Sequence, residues 1–285
     1  MDSSMTADPI QRLGANIEVH ASLPGKAPIR HAVFDFDGTL SLIRAGWQEV
    51  MLSHCVAELA GVPAREDRAT LERICSDFIL ELTGHQTIYQ MIRLAEEVTR
   101  RGGIASDPLE YKWQYLNRLQ DKIAHRIADL EREADRAAYI VAGSNDLLDE
   151  LARRGAICYL ASGTDEQFVI AEAKLLGLEP YFGDRIYGAR DDYRSFSKKI
   201  LLERISAEHG VAGTALAVFG DGPVEIANAR QVDGVGIGIA SREDGIGGWD
   251  PWKRQRLGAA GAHMLVPDWR ESARLLSFLC GESDD

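Results

Sequence analysis

Two aspartates, Asp35 and Asp37, stand at the end of the short apolar run HAVFDF, and strand alternation puts both side chains on one face. Ser162 and Gly163 follow a second apolar run, AICYLA, and Gly220, Asp221 and Gly222 follow a third, ALAVF. Lys198 begins a helical segment between the last two. Three carboxylates held close repel one another, and a divalent cation with oxygen ligands, Mg²⁺ before others, is the ordinary means of keeping all three ionised. A hydroxyl, a helix N-terminus and a lysine around the same point would bind a phosphate.

These residues are far apart in the chain, so the elements around them must bring them together. From about Ser144 the chain alternates helical and apolar stretches. Helices are expected from Ser144, as N-cap, to Gly155, from Thr164, as N-cap, and over Phe196–His209, Val224–Arg230 and Glu271–Leu279. Strands are expected at 156–161, 185–189, 215–220, 235–240 and 263–267. Such alternation implies a parallel sheet with right-handed crossovers and helices on both faces. Ligands of these sheets bind at the carboxyl ends of the strands, which is where the polar residues fall.

Between the first and second strands the texture is different. Leu71, Ile74, Cys75, Phe78, Ile79 and Leu82 recur at helical spacing, as do Ile88, Met91, Ile92, Ala95 and Val98, and then Trp113, Leu116, Leu119, Ile123 and Ile127. This predicts an inserted unit of four or five packed helices over residues 42–140. The expected organisation is therefore a Rossmann-like α/β core (31–41 and 141–285), an all-helical insert, and an N-terminal extension (1–30) with one short strand at 16–20.

DFDGT at 35–39, SGT at 162–164, Lys198 within SFSKKIL, and GDGPVE at 220–225 resemble, in order and spacing, the four motifs of the haloacid dehalogenase superfamily. The resemblance implies that Asp35 is a nucleophile forming an aspartyl-phosphate, and that Asp37 is general acid and then base. It also implies that Ser162, Gly163 and Lys198 hold the phosphoryl oxygens, and that Asp35, Asp37, Asp221 and Glu225 form the Mg²⁺ site. Because Asp37 is an acid, an alcohol leaving group and a phosphomonoester are implied, and dehalogenase, ATPase and phosphonatase branches are not. The insert corresponds to the family's C1 cap, a lid that selects the substrate; Arg44 and the GHQT stretch, with His85 and Gln86, are the candidates for that contact. The expected function is a Mg²⁺-dependent phosphatase for a small phosphorylated metabolite such as a sugar phosphate. A phosphomutase of the same superfamily and a non-catalytic phosphate-sensing regulator are the alternatives.

Composition narrows the partners. With 44 acidic and 32 basic residues among 285, the formal charge is −12, which disfavours nucleic acid and anionic lipid. The basic clusters Arg100-Arg101 and Lys253-Arg254-Arg256 are too small to change that. No apolar run approaches the ~20 residues that span a bilayer, and the N-terminus lacks the pattern of a secretory signal, so a cytoplasmic protein is expected. Cys55, Cys75, Cys158 and Cys280 form no CxxC pair and are expected as reduced, buried thiols. The glycines from 234 to 248 do not fit a dinucleotide-binding loop. Thr39 is expected to be structural and Lys199 is a rival of Lys198. The segment GWDPWKR could form a lip beside the site or a homodimer contact, with buried packing as its default reading.

Overall fold

The computed structural model describes residues 10–132, 135–244 and 246–282. Residues 1–9 of the expected N-terminal extension lie outside that range. The elements in chain order are β1 (Gln11–Leu13), β2 (Ile17–Val19), β3 (His31–Phe34), α1 (Trp47–Ala60), α2 (Arg68–Glu81), α3 (Thr87–Arg100) and α4 (Pro108–Glu131). After a 3-10 turn at Arg136–Tyr139 come α5 (Ser144–Arg153), β4 (Ile157–Asp165), α6 (Glu166–Leu175), α7 (Glu179–Phe182), β5 (Ile186–Ala189) and α8 (Lys198–His209). The chain continues with β6 (Gly213–Gly220), α9 (Pro223–Gln231), β7 (Gly234–Ile239), α10 (Pro251–Ala259), β8 (Met264–Val266) and α11 (Ser272–Cys280).

One eight-stranded sheet runs in the order β1-β2-β8-β7-β6-β3-β4-β5. The six strands from β3 to β8 pair in parallel, as the alternation requires. The other two form an antiparallel hairpin on β8, so residues 11–19 finish one edge of the sheet. Only the second of these strands is expected from the sequence, because three-residue strands are too short to show a period.

Register sets up the site. Phe34 at the end of β3 is level with Leu160 on β4 and Phe219 on β6, so the residues just beyond these three lie side by side. The Phe34 and Phe219 rings stack with centroids 4.5 Å apart, and Phe182 meets Phe34 edge-on. All three are fully buried, which anchors the strand tips from beneath. β3 is central, with β4 on one side and β6 on the other, which makes this point the topological switch of the sheet.

Helices α1–α4 lie between β3 and β4, the inserted helical segment expected of a cap. Three of them follow the expected stripes. The fourth, α1, buries Met51, His54, Cys55, Val56 and Leu59, with a histidine in the middle of its inner face, and so presents no clean stripe. Asp67 and Asp107 cap α2 and α4 by accepting from Thr70 N and Leu109 N. By contrast, Ser144 does not cap α5: Gly143 does, in the left-handed region, and the Ser144 hydroxyl donates to Val141 O. No helix among the described residues is long and apolar enough to cross a membrane.

Candidate active site

Asp35 is the first residue past β3, and its backbone N–H still donates to Phe219 O at 2.8 Å, so the sheet ladder itself fixes its position. Its Oδ1 lies 2.7 Å from Lys198 Nζ, and both residues are buried. Lys198 reaches the strand tips from the first turn of α8, whose start is set by the Ser197 hydroxyl accepting from Ile200 N. Its ammonium also pairs with Glu225. Burial pushes the Asp35 carboxyl well above the usual carboxylate range; Lys198 opposes that shift, and Glu225 and Asp221 add to it. Burial works against the charge on Lys198 as well, but Asp35 and Glu225 outweigh it and hold its pKa above that of an ordinary lysine. Lys199 is exposed and faces Glu203, which removes it as a rival.

Asp37 sits two residues on. Its Oδ2 accepts from the Thr164 hydroxyl at 2.8 Å, its Oδ1 is 4.0 Å from Arg44 Nε, and that Oδ1 is buried with no hydrogen-bond partner. Burial raises its pKa, with Arg44 and the Thr164 hydroxyl pulling the other way. Thr164 is therefore not the cap of α6. Strand β4 runs on to Asp165, the helix begins at Glu166, and the hydroxyl is left facing the neighbouring strand tip. Ser162 is buried at the end of the same strand and accepts from Thr164 N.

Two glycines let backbone and carboxylates crowd here. Gly38 has φ +74°, and a Cβ on it would lie 2.3 Å from Asp221 Oδ2. At Gly163 a Cβ would lie 2.5 Å from the carbonyl oxygen of His85 on the cap, so any side chain would push the cap loop off the strand tips. The turn after Asp37 is also held from behind. Trp269, fully buried, donates its indole N–H to Thr39 O at 2.8 Å, and the Ser241 hydroxyl donates to Gly38 O at 2.8 Å.

Asp221, just past β6, is met by Lys253 from α10: Nζ lies 2.8 Å from Asp221 Oδ2 and 2.6 Å from Glu243 Oε1. Lys253 lies in the GWDPWKR segment, which does border the site as one of its sequence readings has it, but its pairing with Asp221 is not expected from the sequence, and neither is Glu243. The Asp250-Pro251 pair does carry a helix-start signal, since Asp250 accepts from the N–H groups of Trp252 and Lys253. That signal shows where α10 begins and is silent on where Lys253 points.

The cap residues singled out from sequence fall differently. Arg44 borders the cavity, but its guanidinium is forked onto Glu172 of α6, with Nη2 2.6 Å from Oε1, and lies over Phe168. Gln86 spends its amide N–H groups on the carbonyls of Tyr193 and Phe196 at 2.9 and 2.6 Å, tying the cap loop to the core. His85 lines the cavity itself.

A cavity lies over the strand tips, between the core and the cap. Trp47, Tyr115, Leu116 and Leu119 of the cap form much of its roof, and Asp35, Asp37, Ser162, Lys198 and Asp221 its floor. Its donor set, carboxylate oxygens with one of them buried and orphaned on Asp37, suits a hard cation such as Mg²⁺. Among the described residues no group of three His, Cys, Asp or Glu side chains is arranged to hold a metal ion, and Lys198 and Lys253 engage the carboxylates of Asp35 and Asp221.

A model of haloacid dehalogenase-like hydrolases matches residues 29–233. No curated protein is similar enough in sequence to match. Among solved structures, the chain is similar to a haloacid dehalogenase-type hydrolase, family IA, variant 3, from Entamoeba histolytica at 18% identity and a TM-score of 0.58, covering 89% of this chain and 100% of that one. It is also similar to a predicted phosphoglycolate phosphatase from Haemophilus somnus, at 12% identity and TM-score 0.57 over 88% of this chain and 99% of that one. A conserved haloacid dehalogenase-like protein of unknown function from Agrobacterium tumefaciens shares 19% identity at TM-score 0.53, again over 88% and 99%. At these identities the structural likeness shows the fold.

Proposed function

The chain belongs to the haloacid dehalogenase-like hydrolases, and from that premise we propose that it is a Mg²⁺-dependent phosphatase that hydrolyses a small phosphomonoester through an aspartyl-phosphate on Asp35. The observation that carries this reading is the pairing at the strand tips. A buried carboxylate is held against a lysine, Asp35 to Lys198 at 2.7 Å, and a second carboxyl, the half-buried Asp37, stands two residues away with one oxygen engaged by Thr164 and the other buried and unpartnered.

In this mechanism an Asp35 oxygen attacks phosphorus in line with the leaving alcohol. Lys198, the Ser162 hydroxyl and the backbone at Gly163 hold the transferring oxygens and offset the charge that develops on them. Asp37 gives its proton to the leaving oxygen and later takes one from the water that cleaves the acyl phosphate. The Thr164 hydroxyl, by donating to Oδ2, fixes the orientation of the Asp37 carboxyl. Asp35 and Asp221, with the backbone carbonyl of Asp37, would hold Mg²⁺, which when bound supplies positive charge against the phosphate oxygens. Glu225, which the motif resemblance assigns to the metal shell, is engaged by Lys198, and we read it as the residue that positions that lysine. The cap excludes water from the acyl phosphate while it forms.

The cavity is roofed by the cap residues Trp47, Tyr115, Leu116 and Leu119, and a sugar phosphate or similar small metabolite of the cytoplasm is the substrate class we infer. Unpaired cysteines suit that compartment, and all four are free. The test is phosphate release across a panel of phosphorylated sugars, polyols, nucleotides and p-nitrophenyl phosphate, with and without Mg²⁺, with Asp35→Asn as the blank. Release that needs both Asp35 and the metal is expected. A folded protein that releases phosphate from no ester on the panel would overturn the reading.

A further inference from the structure

Four cations border the cavity: Arg44, Lys198, Lys253 and Arg256. Three are committed to buried carboxylates, Arg44 to Glu172, Lys198 to Asp35 and Glu225, and Lys253 to Asp221 and Glu243. Arg256 is different. Among the described residues no carboxylate lies within ion-pair distance of it, and its one hydrogen bond runs from Nη2 to Leu80 O of the cap at 2.7 Å. Its guanidinium lies over the Trp252 ring, 4.4 Å from the centroid. Trp252 and Arg256 are one helical turn apart on α10, so the stack is built into the helix. Burial disfavours the charge on Arg256, with only Asp221 acting the other way.

Resting on the phosphatase reading, we propose that Arg256 determines specificity by binding a second anionic group of the substrate, so that the preferred phosphomonoester carries a carboxylate or a second phosphate besides the group it loses. A guanidinium presents five N–H donors in a planar fork that matches either anion with two parallel bonds. One donor is spent on Leu80; the rest are free to meet a ligand. Stacking on Trp252 and the bond to Leu80 hold the fork in place before the ligand arrives, so little side-chain entropy is lost on binding. The other cations at the cavity are already balanced, and Arg256 is the one whose charge an anion would complete. Specificity then comes from α10 of the core, at its junction with the cap, as well as from the cap itself.

The experiment compares esters that differ in one group. Glycerol 3-phosphate and 3-phosphoglycerate differ by a hydroxymethyl against a carboxylate, and fructose 6-phosphate and fructose 1,6-bisphosphate differ by a second phosphate. Wild-type protein is expected to favour the anionic member of at least one pair by about tenfold or more in kcat/KM, and which pair responds identifies the anion. Arg256→Gln should remove that preference chiefly through KM, and Arg256→Lys, which keeps the charge without the fork, should retain part of it. No preference in the wild type, or an equal loss on both members of a pair in Arg256→Gln, overturns the proposal, since equal loss is what a mere strap between α10 and Leu80 produces. Hydrolysis of p-nitrophenyl phosphate that depends on Asp35 checks the phosphatase reading separately. If that hydrolysis is absent, calorimetric binding of the same pairs to Asp35→Asn with and without Arg256→Gln decides the anion site without turnover: preference lost with Arg256 supports it, preference absent or unchanged overturns it.

Discussion

Lys253 Nζ lies 2.8 Å from Asp221 Oδ2 and 2.6 Å from Glu243 Oε1, so a lysine from the core helix α10 occupies the face of the aspartate that the family resemblance assigns to the metal. The two carboxylates hold Lys253 charged despite its burial. A divalent cation bound to Asp221 would therefore compete with the lysine for the same carboxylate. Replacing the lysine by a neutral side chain of similar length should leave a more negative site. Lys253→Met is expected to bind Mg²⁺ more tightly, by about threefold or more, in a calorimetric titration without substrate. Weaker Mg²⁺ binding by a folded Lys253→Met protein would contradict the competition.

Asp37 is assigned to proton transfer, and its effect should track the leaving group. Asp37→Asn is expected to lose roughly 10²–10⁴-fold in kcat on alkyl phosphates, where the departing alkoxide needs a proton. The loss should be clearly smaller on p-nitrophenyl phosphate, whose phenolate leaves without one. Equal losses on both, read from initial rates at saturating Mg²⁺, would assign Asp37 to some other task.

The Arg44–Glu172 pair joins the segment that leads into the cap to α6, with both side chains almost wholly buried. Removing one partner strands the other charge. Glu172→Ala is expected to destabilise by about 3–5 kcal/mol in urea unfolding, and the double change Arg44→Met with Glu172→Leu by distinctly less. Arg44 also stands beside Asp37, so Glu172→Ala should lower activity as well as stability.

Two buried histidines give stability a pH dependence away from the active site. Burial, helped by Arg118, lowers the pKa of His54 to about 4. Burial and Arg230 do the same to His263. In the unfolded chain both would titrate near 6.5. Between those values the unfolded state binds more protons than the folded one, so stability rises with pH across that window and is lost as pH falls from 6.5 toward 4. The loss is at most about 3 kcal/mol for each group. Thermal unfolding followed between pH 7 and pH 4.5 should show this fall, and His54→Leu, which removes a ring whose two nitrogens have no partners, should flatten it.

At Gly163 the cap loop lies close over the strand tips. Gly163→Ala would set a methyl 2.5 Å from the His85 carbonyl oxygen, and the cap loop must lift to make room. A loss of about tenfold or more in kcat/KM is expected, because small displacements of positioning groups are costly. Faster proteolysis at residues 84–86 would be the independent sign that the loop has lifted. An alanine variant with unchanged kinetics would show that the approach is not needed for turnover.

The α/β core, the helical insert and the residues at the strand tips are determined by local sequence. Apolar periodicity identifies β3, β4, β6 and β7 as strands, polar residues end the first three of them, and the topology of a parallel sheet brings Asp35, Ser162 and Asp221 to one point. The stripes of α2, α3 and α4 are equally local. What the chain does not carry locally is which partner each polar group takes. Periodicity says which face a side chain is on, and gives no information about which residue from a distant segment packs against that face. Hence Thr164, a natural helix cap by type and position, faces Asp37 because β4 runs four residues further than its apolar stretch. Arg44, placed near the substrate by its proximity to Asp37, is claimed by Glu172, which is 128 positions away. Lys253 and Arg256 lie on a helix whose start is legible at Asp250-Pro251, but their convergence on Asp221 and on the cavity follows from α10 starting beside the end of β7, where Asp250 N–H donates to Ala240 O, which only tertiary packing decides.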